Sequence, residues 1–306
     1  MKNILLFGGT GFIGRHLVDE LKYDDHITVI SRNPAKYKGL FSDKIRLEKA
    51  DFSNPGSLVR LFDKADAIIN LAGENVGSRW TSARKQAIQN SRLDTDKLIV
   101  VAFNACTKKP AVVIQGSGMG VYGFETSDEP FTEDAPLGTT GFLTEVGIAH
   151  ENALEPLKDK TRVIFLRTGL VLDGKGGALP MMAASFKIFL GGPMGNGKFW
   201  NSWIHIDDEV RAIRFLLENE QTEGAYNLTS PNPIRNKNFA LALGKALHRP
   251  ARFHTPAAFL KIMMGNMADE LLLSGLKIIP KRLLDARFMF EFQHIEEALK
   301  EVYQNK

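Results

Sequence analysis

The sequence predicts an α/β protein: a doubly wound parallel sheet followed by a smaller mixed α/β C-terminal lobe. Three observations carry that prediction. Apolar runs of strand length alternate with longer stretches of helical period, glycines crowd the turn after the first run, and the alternation breaks down after about residue 167. Such alternation is the signature of a sheet covered by helices on both faces. In chain order, Asn3 to Gly8 is an apolar strand closed by glycine, and Phe12 to Leu21 is the amphipathic helix that follows. Strands are then predicted over His26 to Ser31, Ile45 to Ala50, Ala67 to Ala72, Ala111 to Ser117 and Arg162 to Leu166. Helices are predicted between them over Pro55 to Phe62, Ser82 to Ala105 and Phe142 to Leu157.

A chain of 306 residues is too long for one compact core. It divides into residues 1–167 and a smaller lobe, 168–306, whose start is marked by glycine clusters at Gly174 to Gly177 and Gly191 to Gly197. Extended folds of this kind often send a strand back into the first sheet. Composition is ordinary, with 39 basic and 35 acidic residues giving a net charge of +4, a mild basicity that slightly favours anionic small molecules and does not argue for nucleic acid. The single cysteine, Cys106, rules out a disulfide within the chain and points to a reducing compartment. The first strand is too short for a signal segment, and no apolar stretch reaches the roughly 18 residues of a membrane span. A cytoplasmic location is expected.

The strongest motif is Gly8-Gly9-Thr10-Gly11-Phe12-Ile13-Gly14, directly after a strand and opening a helix. Glycine permits the tight turn, the close approach of backbone to a pyrophosphate and the contact of helix with strand, while the helix N-terminus offers free N–H groups. A Rossmann-type dinucleotide-binding domain is therefore expected. Cofactor choice is read at the end of the second strand, where Ser31-Arg32-Asn33 is followed by Lys36 and Lys38, with no carboxylate until Asp43. A guanidinium suits a 2′-phosphate, so NADP(H) is favoured over NAD(H). Asp51-Phe52 is placed beside the adenine, and Asn70 with Leu71-Ala72-Gly73 on the cofactor's other side. The alternative reading of Asp51 is a cap before Pro55, and of Arg32 a solvated strand-end charge.

These residues resemble the extended short-chain dehydrogenase/reductases, the NAD(P)-dependent epimerase/dehydratase superfamily. The resemblance runs through Gly8 to Gly14, Asn70 to Gly73, Ser117 to Gly123, Leu166 to Leu172 and Trp203 to Asp208. Asn232 to Phe239, Ala246 to Pro250 and Pro280 to Leu284 resemble its YfcH-like branch, described as nucleoside-diphosphate-sugar epimerases. The resemblance implies a serine, and a tyrosine followed four residues later by a lysine, as the proton-handling groups. Ser117 matches the serine. None of the five tyrosines, at 23, 37, 122, 226 and 303, has a lysine four residues on, and Leu143 and Gly147 stand where the pair is expected. Three readings stay open: Tyr122 as substitute donor, tuned by a neighbour such as Arg92 or His205; an NADP(H)-binding sensor or scaffold without turnover; or chemistry by other groups, Glu145 and His150 among them.

Elsewhere the bland readings lead. Asp207-Asp208 are expected to cap the helix Glu209 to Leu217 rather than bind metal, and His205 to bridge strand and helix. Lys198 and Trp200 sit in a glycine-rich loop that is either lid or connector. Arg79, Trp80, Arg84, Lys85 and Arg92 read as core plus solvated face rather than a nucleic-acid surface, and Leu260 to Leu284 as short helices packed on the second lobe rather than a membrane-surface element. The partner expected is a small-molecule substrate, with a homodimer open.

Overall fold

The computed structural model describes residues 1–51 and 54–304. The first half contains strands β1 (Asn3–Phe7), β2 (His26–Ser31), β3 (Arg46–Lys49), β4 (Ala67–Asn70) and β5 (Val112–Gly118), with helices α1 (Phe12–Leu21), α2 (Val59–Phe62) and α3 (Ser82–Ala105) between them. Next come β6 (Pro130–Phe131), α4 (Phe142–Asn152), β7 (Arg162–Thr168), β8 (Leu170–Leu172) and α5 (Leu179–Lys187). The remainder holds β9 (Trp200–Asn201), β10 (Trp203–His205), α6 (Ile206–Glu218), β11 (Gly224–Leu228), β12 (Ile234–Arg235) and α7 (Asn236–Ala246). It ends with α8 (Ala257–Met264), α9 (Asn266–Leu271), β13 (Lys277–Ile278), α10 (Lys281–Asp285) and α11 (Ile295–Gln304).

Seven strands form one sheet in the order β11-β7-β5-β4-β1-β2-β3, every pair parallel. The predicted α/β class holds, and the predicted strands and helices recur with ends shifted by a few residues. Alternation explains why the sheet is covered on both faces. Ile4 and Leu6 enter one core with Leu17 and Leu21 of α1 and Ile213 and Leu216 of α6, whereas Leu5 and Phe7 enter the other with Phe62, Ile99 and Phe103. A third core joins α7 to α11 through Trp203, Phe239, Leu243 and Leu299.

The sheet runs past residue 167, because β11 pairs with β7, Gly224 opposite Ile164 through Leu228 opposite Thr168. Further along, β13 pairs with β6. Chain on both sides of residue 167 thus builds the carboxyl edge of the sheet, where ligands of open parallel sheets bind.

Candidate cofactor and active site

The β1–α1 turn has the shape that its glycines predict. Gly8 adopts φ +77°, and a Cβ there would lie 2.4 Å from the Leu71 carbonyl carbon. A Cβ at Gly14 would fall 2.3 Å from the Gly8 carbonyl oxygen, so helix and turn touch backbone to backbone. Gly11 is the N-cap of α1 and makes no side-chain cap, and among the described residues no side-chain acceptor meets the first N–H groups, those of Phe12, Ile13 and Gly14. Thr10 lies in the same turn. A bare, positively polarised cradle of this kind fits a dinucleotide pyrophosphate.

At the end of β2, Ser31 is buried and its Oγ accepts from the Asn33 N–H at 3.2 Å. Arg32 is exposed beside it and forms no ion pair among the described residues. Asp51 is half-buried in the segment after β3. Phe52, the expected adenine neighbour, lies outside the described residues.

The opposite wall follows β4. Asn70 is fully buried; its amide donates to Gln115 Oε1 at 2.9 Å and Asp96 Oδ1 at 3.2 Å, and its carbonyl oxygen accepts from Ala72 N–H at 3.1 Å. Gln115 also donates to Asp96 at 2.7 Å, and His150 Nδ1 lies 2.6 Å from the other Asp96 oxygen. The acceptor-only carboxylate assigns the proton there to Nδ1. This buried network fixes the path of Leu71 and Ala72 against Gly8, and the sequence reading missed it. Its signal is the α3 stripe Ile88, Arg92, Asp96, Ile99, Phe103, where two charges occupy helical positions otherwise apolar. Arg92 lies under Gly73, whose Cβ would meet the guanidinium carbon at 2.9 Å, and burial pulls the Arg92 pKa down.

Past the wall, Ser117, next to last in β5, donates to Glu151 Oε1 at 2.8 Å. Arg167, on β7, grips both oxygens of Glu151, Nε at 3.0 Å and Nη2 at 2.8 Å, and its Nη1 donates to the Tyr122 hydroxyl at 2.9 Å. Tyr122 in turn donates to Asn227 Oδ1 at 2.8 Å. Burial opposes the Arg167 charge, but the paired carboxylate outweighs it and holds the guanidinium firmly protonated. Burial pushes the Tyr122 phenol up despite that guanidinium. The structure thus brings Ser117 and Tyr122 into one chain of hydrogen bonds, with Arg167 as the tyrosine's charged neighbour in place of the expected Arg92 or His205. Glu151, Arg167 and Asn227 were not singled out from sequence, since their partners lie up to 105 residues away.

At the positions of the missing pair, a Cβ on Gly147 would lie 2.6 Å from Val121 Cγ1, so α4 packs there on apolar chain. The α4 N-terminus is closed by Glu270 of α9, which accepts from Phe142 N–H at 3.0 Å and Leu143 N–H at 2.9 Å.

Other expectations resolve locally. His205, through Nδ1, caps α6 by accepting from Asp207 N–H at 3.2 Å. Neither Asp207 nor Asp208 caps that helix, contrary to the sequence reading: α6 starts at Ile206, ahead of the expected Glu209, so both aspartates lie inside its first turn, and the buried Asp208 accepts instead from Glu291 and Phe292 N–H at 2.9 and 2.8 Å. Trp200 lies under the Arg235 guanidinium at 4.1 Å and donates to Asp128, which fastens its end of the glycine-rich loop. Glu209 is buried; Thr168 donates to one oxygen at 2.8 Å, the other finds no partner among the described residues, and burial pushes its pKa to about 8. Among the described residues, no group of three or more His, Cys, Asp or Glu side chains is arranged to hold a metal ion, and no helix is long and apolar enough to cross a membrane.

Fold and cradle together define a nucleotide-binding α/β protein of the extended short-chain dehydrogenase/reductase class. Residues 4–229 match the model of the NAD dependent epimerase/dehydratase family, and the chain belongs to that family. Residues 255–302 match a domain of unknown function, DUF1731. The chain is 35% identical over 307 residues to an epimerase family protein of Staphylococcus epidermidis, covering 99% of each. It is similar to the crystal structure of human epimerase family protein SDR39U1 (isoform 2) with NADPH, at 30% identity and TM-score 0.88 over 99% of this chain and 100% of that one. It also resembles a nucleoside-diphosphate sugar epimerase of Corynebacterium glutamicum, at 27% identity and TM-score 0.77 over 99% of this chain and 58% of that one.

Proposed function

We propose that this protein is an NADP(H)-dependent oxidoreductase or epimerase acting in the cytoplasm on a small hydroxyl or carbonyl compound, with nucleotide sugars a candidate class. The observation that carries the reading is the exposed Arg32 at the carboxyl end of β2, beside the glycine cradle and without an ion pair among the described residues. The human relative solved with NADPH supports it. Gly8, Gly11 and Gly14 hold the pyrophosphate, Arg32 the 2′-phosphate, and Leu71 to Gly73 the opposite wall; NADP(H), when bound, supplies hydride transfer. Ser117 meets the reacting oxygen. Its own proton is engaged by Glu151, so Ser117 presents lone pairs and accepts best from a substrate hydroxyl. Tyr122 acts from behind, orienting Arg167 and through it Glu151 and Ser117.

One observation favours a second reading, an NADP(H)-responsive binding protein without turnover: Leu143 and Gly147 leave α4 without a proton-exchanging pair. Parallel calorimetric titrations with NADPH and NADH test the cofactor. NADPH is expected to bind at least about tenfold tighter, a margin of about 1.4 kcal/mol that Arg32→Ala abolishes. Equal affinity for the two would overturn the NADP(H) assignment. Substrate-dependent change in NADPH absorbance, lost in Ser117→Ala, separates enzyme from binding protein.

A further inference from the structure

We infer that the segment from Asp173 to Met181 is a strap over the cofactor crevice, and that Lys175 within it supplies a cation to the pyrophosphate. The inference rests on the dinucleotide reading above and adds a residue to it.

Contacts at its two ends place the strap. Asp173 Oδ2 lies 3.2 Å from His16 Nε2 on α1. Three residues on, a Cβ at Gly176 would lie 2.3 Å from Phe12 Cδ2, and one at Gly177, where φ is +69°, 2.8 Å from Phe12 Cε1. Phe12 and His16 are one helical turn apart, rings 5.8 Å from each other, so the strap runs up that face of α1 toward its N-terminus. Beyond, the Met181 side chain comes within 3.7 Å of a Cβ placed on Gly77, in the segment that follows β4. The α1 turn and the post-β4 segment are the two walls of the crevice, as the contact of Gly8 with Leu71 shows. A chain resting on both walls spans the space between them.

Chemistry then singles out one side chain. Glycines at 174, 176 and 177 let the strap lie close to its neighbours, and the lysine between them is exposed. Its ammonium has no ion pair among the described residues. The nearby Asp173 is buried and already accepts from His16 and from the Lys175 backbone N–H at 3.2 Å. A compact cation on a flexible stem, beside a helix N-terminus already polarised for anions, suits a diphosphate.

Calorimetric titration of the full chain with NADPH, NADH and adenosine 2′,5′-bisphosphate, repeated on Lys175→Met with Lys198→Met as an exposed control, tests this. Lys175→Met is expected to weaken NADPH and NADH alike by about tenfold and to spare the bisphosphate, which has no pyrophosphate; the control should leave all three unchanged. Nucleotide should also slow tryptic cleavage after Lys175. Unchanged affinity for both dinucleotides in Lys175→Met makes this a solvated surface lysine and ends the proposal. A loss confined to NADPH reassigns the charge to the 2′-phosphate and overturns the pyrophosphate contact. If the unmodified protein binds neither dinucleotide, the cofactor reading itself has failed, a result visible before any variant is made.

Discussion

On one side of the crevice, where β1 meets β4, the site is made of backbone: bare N–H groups at α1, and carbonyls close enough that a Cβ at Gly8 or Gly14 has no room. On the other side, where β5 meets β7, it is made of charged and polar side chains, Ser117, Glu151, Arg167, Tyr122 and Asn227, each holding the next. A backbone cradle binds any ligand with the right phosphates and is broken only by adding atoms. A side-chain chain is specific to its members and is broken by removing any one. The two halves of one site should therefore fail in different ways.

Arg167→Met is the severest cut, because it strands the buried Glu151 carboxylate without its partner. A loss of about 3–5 kcal/mol of stability is expected in urea unfolding, partly recovered by adding Glu151→Gln, with dinucleotide affinity in the surviving folded protein within about threefold of the parent. A similar loss of nucleotide binding would mean that the two halves are one unit. Gly14→Ala should do the reverse. With a new methyl 2.3 Å from the Gly8 carbonyl oxygen, dinucleotide affinity is expected to fall by about a hundredfold or more in calorimetry, while stability falls by only about 2 kcal/mol.

Glu209 sharpens the contrast, being a buried carboxyl of the side-chain half with only one oxygen partnered among the described residues. Its folded-state pKa of about 8 lies above the ordinary 4.5 of an exposed glutamate. The stability it contributes is thus fully present below pH 4.5 and is lost progressively as pH rises to about 8. Glu209→Gln is expected to match the parent near pH 4 and to exceed it at pH 9 by on the order of 2 to 4 kcal/mol, read from thermal or urea unfolding across that range. Identical pH dependence in the two proteins would show that the carboxyl reaches water.

Much of the backbone half was legible in advance. Gly8 to Gly14 names its own geometry, because each glycine marks a place where a side chain cannot go, and the Ser31-Arg32 strand end follows from register along β2. The predicted ends of β4 and α4 ran long, Ala72 and Leu157 against Asn70 and Asn152, where apolar composition continues but the hydrogen-bond ladder stops. The side-chain half was legible only in Ser117 and Tyr122. Asp207 and Asp208 show the limit well. Adjacent in sequence and equivalent in composition, they differ because Asp208 alone faces the Glu291–Phe292 turn.

By itself, the sequence determined the alternation that makes a doubly wound sheet, the cradle for a dinucleotide and the absence of the Tyr-Lys pair, since all three depend on residues within a few positions of one another. Only the tertiary structure decided what stands in the vacated chemistry: Glu151 beneath Ser117, Arg167 between Glu151 and Tyr122, Glu270 on the N-terminus of α4, and the strap across the crevice. Local order is written in periodicity and conformational preference. The pairing of buried charges is set by which strands and helices come to lie side by side, and that is settled when the sheet, β11 included, closes over its core.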